Sequence, residues 1–404
     1  MDGPPDWKRA IADPYPGYAW LRENDPVHWS ESLRAWVVTR YDDVLEVFDH
    51  PARFSSDRFR KLDPRYASQR DAVVAVASVL GDWMVFRDPP DHTRLRALLQ
   101  KSFTTRQLER ARPQIEQIID SLLDDMAKRG ECDFVADFAF PLPAGVIAVL
   151  LGVPAADIAQ LGDWSDRMSA YVGGSVGGST LGADNFERTR EGLDEMCRYF
   201  RALIAEKKRR PDEALISRML AAEDAGDALS EAEVLSNCVL LLFAGHETTT
   251  NLLANGLWLL LEHPDALRQL RAHPRLAASA VEELLRFESP VPATLKVALE
   301  DVAWHGAAIR AGDKVLPFVA AATRDPARFA EPDRLDLERQ PNRHLAFGYG
   351  IHFCLGAPLA RLEARLGFEK LLARFPRLET PDAEPCWKPL LFFRALERLR
   401  IRTD

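Results

Sequence analysis

The chain has no long hydrophobic run. Its two most apolar stretches, VLSNCVLLLFAG at 234–245 and LLANGLWLLL at 252–261, are interrupted by Asn, Gly, His and Glu, and each falls short of the roughly 18 apolar residues that span a bilayer. They predict buried helix and a protein without a membrane anchor. The basic excess of a nucleic-acid surface is missing too. Lys and Arg number 52 against 61 Asp and Glu, a net charge of −9, which argues against a nucleic-acid partner. Cysteine is sparse and odd in number, at positions 132, 197, 238, 354 and 386. That scatter fits neither a disulfide framework nor a zinc finger and points to a reducing, cytoplasmic home. The opening MDGPPDWKRAIADPYPG lacks the basic start and apolar stretch of an export signal. No glycine fingerprint for a flavin or nicotinamide is visible, and no internal repeat of solenoid length.

What is present is material for a large core, 47% hydrophobic over 404 residues, a length that by itself suggests two or three domains. From about 92 to 285 the helical period dominates, in RLRALLQKSF, QIEQIIDSLLDDMAKR, NFERTREGLDEMCRYFRALIAEKKRR and EAEVLSNCVLLLFAG. Residues 17–60 mix helical GYAWLREND and YDDVLEVFDH with alternating VHWS and AWVVTR, which predicts a small N-terminal sheet. The β-branched stretch between 290 and 320, punctuated by HG and AGD turns, predicts a second sheet element. YVGGSVGGSTLGAD predicts a mobile connection between two helices, a linker or a lid. Residues 323–346 read as an ordered loop running into FGYGIHFCLG, after which PLARLEARLGFEKLLARF is helical.

Four short patterns carry chemistry. In FGYGIHFCLG, Gly348 and Gly350 permit backbone geometry that a Cβ would block, and Gly356 lets the next helix approach whatever Cys354 binds. Cys354 lies just ahead of that helix, where unpaired N–H groups and the helix dipole favour a thiolate able to ligate iron. A buried free cysteine in a glycine-rich turn is the plain alternative. LLFAGHETTTNLL sets Glu247 and Thr248 inside an apolar helix, a costly polar pair unless something uses them. Thr hydroxyls can bond the carbonyl four residues back and bend the helix, and Gly245 offers low bulk to a ligand, although an N-cap-like cluster would also account for the pattern. In VEELLRFESP, Glu283 and Arg286 share one helical face, a pair worth little at a surface. In DPPDHTRLRALL, His92 and Arg96 also share a face, as two cationic donors for a carboxylate or as a solvated edge.

These motifs, in this order, resemble the cytochrome P450 family, and the resemblance runs from PYPGYAWLREND to PLLFFRALERLRIR. It implies the cytochrome P450 fold, mainly α with a smaller β part, as one domain over 1–404, replacing the length-based count. Haem b (iron protoporphyrin IX) would lie between a distal oxygen-binding helix and the cysteine-loop helix. Cys354 becomes the proximal metal ligand, whose thiolate favours O–O cleavage. Phe347 covers the sulfur side, Gly348 and Gly356 shape the loop, and His352, His92 and Arg96 reach propionates. Lys296 stands where many bacterial members have Arg, a point charge in place of a planar fork. Glu247 and Thr248 would deliver protons through water to dioxygen, which favours O2 plus electrons over peroxide. Glu283 and Arg286 become a buried frame, completed by Arg334 or by its rival Arg339.

The same resemblance lines a substrate pocket with residues 80–87 and 172–182, Leu240, Phe243, Ala244, Val291, Thr294, Leu295 and the Leu391/Phe392 turn. That lining suits a hydrophobic substrate such as a terpenoid, macrolide, steroid or fatty acid. The implied protein is a cytoplasmic, monomeric haem-thiolate monooxygenase of secondary metabolism. Its electrons would come from a separate ferredoxin and ferredoxin reductase, docking on the Cys354 side. Alternatives are another oxidation, phenol coupling or peroxide-driven, and a non-catalytic haem-thiolate binding protein.

Overall fold

A computed structural model describes residues 6–7, 11–58, 76–102, 105–174, 183–224 and 227–403. The helix Glu231–Glu262 organises the rest. Its start is set by a capping box: Ser230 Oγ accepts from the Glu233 amide at 3.2 Å, and the Glu233 carboxylate accepts from the Ser230 amide at 2.8 Å. Beyond the first turn nearly every face is apolar, and the helix is buried along most of its length, as expected of a helix with no polar stripe. It packs against Pro141–Leu151, Ala183–Arg209, Ala277–Phe287 and Ala357–Arg374. At the last crossing a Cβ on Gly256 would lie 2.7 Å from the Phe368 ring, so glycine is what lets these two helices approach. Leu253, Leu257 and Leu284 fill the core on that side, and Leu240 and Phe243 pack with Trp83, Phe86 and Phe200 on the other.

A five-stranded sheet lies beside the helices, in the order Val27–Ser30, Ala35–Val38, Lys314–Pro317, Lys296–Ala298, Phe54–Ser55. Val315 pairs with Trp36 in parallel and with Lys296 in antiparallel, and Ser55 pairs with Val297. The register therefore brings Lys296 to the strand that ends in Ser55. Strands Lys296–Ala298 and Lys314–Pro317 of the second predicted region thus join the N-terminal strands in one sheet, while Val302–Trp304 and Ala307–Ile309 form a separate two-stranded hairpin. The stretch after Pro317 departs from expectation, because Val319–Ala322 is one helical turn, its three alanines preferring helix over strand. Glu131–Asp133, inside the span read as helical, pairs with Arg400–Thr403. Gly130, at φ 71°, ends the preceding helix and redirects the chain. The glycine-rich segment follows the helix Ile158–Val172, and the helix Ala183–Arg209 succeeds it; its residues 175–182 lie outside the described residues. Among the described residues, no helix is long and apolar enough to cross a membrane.

The E-x-x-R pair is buried, both side chains at 0% exposure. Arg286 donates Nε and Nη2 to the two oxygens of Glu283, each at 2.8 Å, and Nη1 to the carbonyls of Thr323 and Pro332. The third member is Arg339, not Arg334. Arg339 Nε reaches both Glu283 oxygens at 3.1 and 3.2 Å, while its Nη groups donate to the carbonyls of Ala330, Glu331 and Arg334. Arg334 offers only its carbonyl; its side chain pairs with Glu331 and is 63% exposed. The reason is a turn in which the Arg334 amide donates to the Glu331 carbonyl, with Glu331 at φ 46°. Asn342 and the Asp336 amide complete the bonds to Glu283. Removing one partner of a buried pair strands the other's charge. Arg339→Leu is therefore expected to cost about 3–5 kcal/mol and Arg334→Leu less than about 0.5 kcal/mol in urea unfolding followed by circular dichroism. Equal losses would contradict this assignment.

Candidate functional site

A cavity of about 360 Å³ lies between the long helix and the cysteine loop. The loop is held by its own backbone: the Gly348 amide donates to Leu345 O (2.8 Å) and the Cys354 amide to Phe347 O (2.9 Å). Gly348 and Gly350 take φ of 71° and 67°, where a Cβ is strained. Gly350 also lies against Phe48, whose carbonyl oxygen would be 3.1 Å from an added Cβ. The helix Ala357–Arg374 begins directly behind the loop, as the glycines and Pro358 predict.

The loop turns Cys354 toward the cavity. Burial pushes its thiol above the ordinary range, while the Gly356 and Ala357 amides and the Arg96 and Arg361 guanidiniums work in the other direction. Those donors would equally stabilise a metal-bound thiolate. Arg361 is fixed by Glu282, donating Nε and Nη2 at 2.7 and 2.8 Å, and its guanidinium lies 4.5 Å from the Phe347 ring centroid. His344 adds a 3.1 Å contact to Glu282. Burial would raise the Glu282 carboxyl, but the bonds from Arg361 and His344 outweigh it and hold the group near 2. Sequence reasoning missed this second clamp. Its members are 79 residues apart, and the only hint was that Glu282 directly precedes Glu283.

The rim gathers the predicted His92, Arg96, Lys296 and His352 from three separated segments. His92 is buried and neither ring nitrogen has a hydrogen-bond partner; its ring centroid is 4.1 Å from that of His352. Ser56 Oγ contacts His352 Nε2 at 3.0 Å and accepts from Lys296 Nζ at 2.5 Å. Arg96 also borders the cavity. Burial, reinforced by neighbouring cations, lowers His92 to about 4 and His352 to about 2; burial also lowers Lys296 to about 8. No Asp or Glu lines the cavity among the described residues. Buried cations and unpaired ring nitrogens around one space are costly without an anion to meet them. A planar group with two carboxylates beside a thiolate ligand answers that need, so the residues present fit a haem.

On the opposite wall Thr248 borders the cavity and donates Oγ1 to Ala244 O at 3.0 Å, the back-bond expected of a mid-helix threonine. Glu247 is buried, is not part of the cavity lining, and accepts from Ser169 Oγ at 3.2 Å. Successive helical residues point about 100° apart, so the acid and the alcohol serve different sides of the helix. Burial raises the Asp166 carboxyl, and the field of Glu247 adds to that. Ser169 and Asp166 were missed, because their helix is remote in sequence and carries no motif. Gly245 borders the cavity but also packs on Ile147, which an added Cβ would meet at 3.0 Å.

Leu240, Phe243, Ala244, Val291, Thr294, Leu295 and Phe392 all line the cavity. From the predicted 80–87 segment Trp83, Met84, Val85 and Phe86 take part, and Val172 from the edge of the glycine-rich stretch. Leu391 does not. The Leu391 and Phe392 amides donate to the carbonyls of Gly174 and Gly173, and Leu391 packs on the N-terminal cluster around Tyr18 and Phe318; Phe393 lines the cavity instead. Arg58, which no motif signalled, lies there as well.

Comparison with known proteins agrees with this geometry. The family model described as Cytochrome P450 matches residues 183–393. The chain is 39% identical over 407 residues to the polyketide biosynthesis cytochrome P450 PksS of Bacillus subtilis (strain 168), covering 98% of this chain and 97% of that one. It is 42% identical over 400 residues to the cytochrome P450 monooxygenase PikC of Streptomyces venezuelae, covering 97% and 91%. The solved structure of P450BioI in complex with hexadec-9Z-enoic acid ligated acyl carrier protein superposes with a TM-score of 0.90 at 36% identity, over 99% of this chain and 100% of that one. A cysteine loop facing a threonine-bearing helix across a cation-rimmed cavity, and identity above a third along nearly the whole chain, lead to one conclusion: this protein belongs to the cytochrome P450 family, monooxygenases that use haem b.

Proposed function

We propose that Cys354 is the protein ligand of the haem iron, that Arg96, Lys296, His92 and His352 receive the propionates, and that Thr248 and Glu247 manage protons on the distal side. The observation that carries this reading is the placement of Cys354 and Thr248 on opposite walls of one cavity. When bound, haem b supplies a redox-active iron that binds and activates dioxygen, aided by thiolate ligation. The reaction inserts one oxygen atom into substrate and releases the other as water, consuming two electrons and two protons.

The chain's own residues supply position and protons. Gly356 and Ala357 N–H groups hold negative charge at the Cys354 sulfur, and Phe347, under the Arg361 guanidinium, shields it from water. Thr248 Oγ1 holds a proton at the cavity wall, and turning from the Ala244 carbonyl hands it to a water. Glu247, reached by Ser169, replenishes that proton from the side where Asp166 lies. An apolar pocket supports a hydrophobic substrate of the terpenoid, macrolide, steroid or fatty-acid type. Electrons come from a ferredoxin and its reductase, docking on the Cys354 face of a single-domain, monomeric, cytoplasmic enzyme.

The reduced protein with carbon monoxide is expected to show the red-shifted Soret band of a thiolate-ligated haem, and Cys354→Ser to abolish it. A nitrogen-ligated spectrum in the unaltered protein would remove the oxygenase reading. Thr248→Ala is expected to lower product formed per NADH consumed by about tenfold or more, with the difference recovered as peroxide. Unchanged coupling would take the proton role away from Thr248.

A further inference from the structure

Among the described residues, the fixed charges facing the cavity do not cancel once the prosthetic group is counted. A ferric iron, a porphyrin dianion and a thiolate sum to zero, leaving two propionates. Arg96 and Lys296 at the rim match those two. Arg58 is a third cation lining the cavity, and among the described residues it has no anionic counterpart. No Asp or Glu pairs with it among the described residues, and its Nε is buried without a hydrogen-bond partner. Its guanidinium carbon lies 3.9 Å from the centroid of Phe86 and 5.9 Å from that of Phe392, two rings that line the cavity themselves. Burial pulls it down to about 10, with only the Tyr171 phenol opposing. Contact with an aromatic face returns part of the cost of removing a cation from water, but not the hydrogen bonds.

A stacked guanidinium keeps its N–H edge free. That edge matches a planar carboxylate, which it can bind through two parallel bonds. We propose that Arg58 is a specificity residue that receives the carboxylate of an amphipathic substrate, while the substrate's hydrocarbon part fills the apolar space bounded by Phe86, Phe243 and Val291. This inference rests on the monooxygenase reading and narrows its substrate class: a neutral hydrocarbon skeleton leaves Arg58 unmatched, and a monoanionic acid does not. A haem propionate has the same carboxylate chemistry, so the test must tell the two apart.

The test uses the purified haem-loaded enzyme with matched acid and alcohol probes on two skeletons: dodecanoic acid with dodecan-1-ol, and 5β-cholanic acid with its C24 alcohol. Dissociation constants are read by calorimetry and by displacement of the Soret band. On at least one skeleton the acid is expected to bind about 10- to 100-fold tighter than the alcohol, the scale of a charge-assisted bond. Arg58→Met removes that preference with the alcohol's Kd changed by less than about threefold, and Arg58→Lys keeps part of it. Acids that bind no tighter than alcohols, or a Met variant that weakens both equally, overturn the proposal. So does a Met variant that loses haem while its preference for the acid persists, which makes a propionate the partner. A wild-type protein without the thiolate carbon monoxide band fails the oxygenase reading instead, and the calorimetric comparison still decides the role of Arg58.

Discussion

The buried carboxylate of Glu283 accepts from Arg286, Arg339, Asn342 and the Asp336 amide, and the segment leading to Cys354 keeps its course only while those bonds persist. Its neighbour Glu282 clamps Arg361 and His344. One turn of helix therefore grips both ends of the cysteine loop, from the 330–342 segment before it to the first turns of the helix behind it. Such a cluster is a poor source of net stability, because desolvation consumes most of its Coulomb energy. Its strength is directional. Arg286 and Arg339 together also satisfy carbonyls of Thr323, Ala330, Glu331, Pro332 and Arg334, and an irregular segment can be buried only if its carbonyls are met.

With the loop fixed, the rest of the site follows from where the long helix can lie. Gly256 sets its approach to the cysteine-loop helix, and residues of both helices line the cavity. Thr248 is placed on the cavity side and Glu247 away from it, toward Ser169. An acid exposed to the cavity would add a charge beside the bound group. Under the proposed function, this division leaves the acid away from the reacting centre and puts the hydroxyl between the two.

Legibility in the sequence tracked locality. The loop 347–356 was readable because its glycines, its cysteine and the following helix are contiguous, and the E-x-x-R pair because both residues share one helical face. The partner of Glu283 was not readable. Arg334 and Arg339 are equally plausible by spacing, and the choice turns on the backbone at Glu331, a non-glycine residue at positive φ that no propensity announces. The Glu282 clamp, the contact of Ser169 with Glu247, and the exclusion of Leu391 from the cavity all depend on pairings between distant segments. Leu391 and Phe392 bond to consecutive glycine carbonyls, and a sequence pattern does not say which side chain of such a turn faces inward. The strand-like reading of the stretch that ends at 319–322 failed there because alanine preference for helix outweighed the β-branched context.

The nitrogen-bearing side chains of the rim come from elements with little else in common: Arg96 and His92 from a helix, Lys296 from the sheet, His352 from the cysteine loop. His92 and Lys296 are buried and Arg96 and His352 partly so, and burial, reinforced by neighbouring cations, depresses both histidines. Left to themselves the charges of Arg96 and Lys296 repel and hold both histidines neutral, and that repulsion acts across the junction of helix and sheet. If the propionates sit among them as proposed, a dianion replaces repulsion with attraction, and because it binds the folded arrangement alone, its binding energy is also folding energy. Cofactor retention and the docking of the sheet onto the helices are then one equilibrium. It follows that substitutions far from the iron, along the strand Lys296–Ala298 or at Ser56, act on haem affinity and on stability together, whereas Thr248, which makes no bond across that junction, acts on chemistry alone.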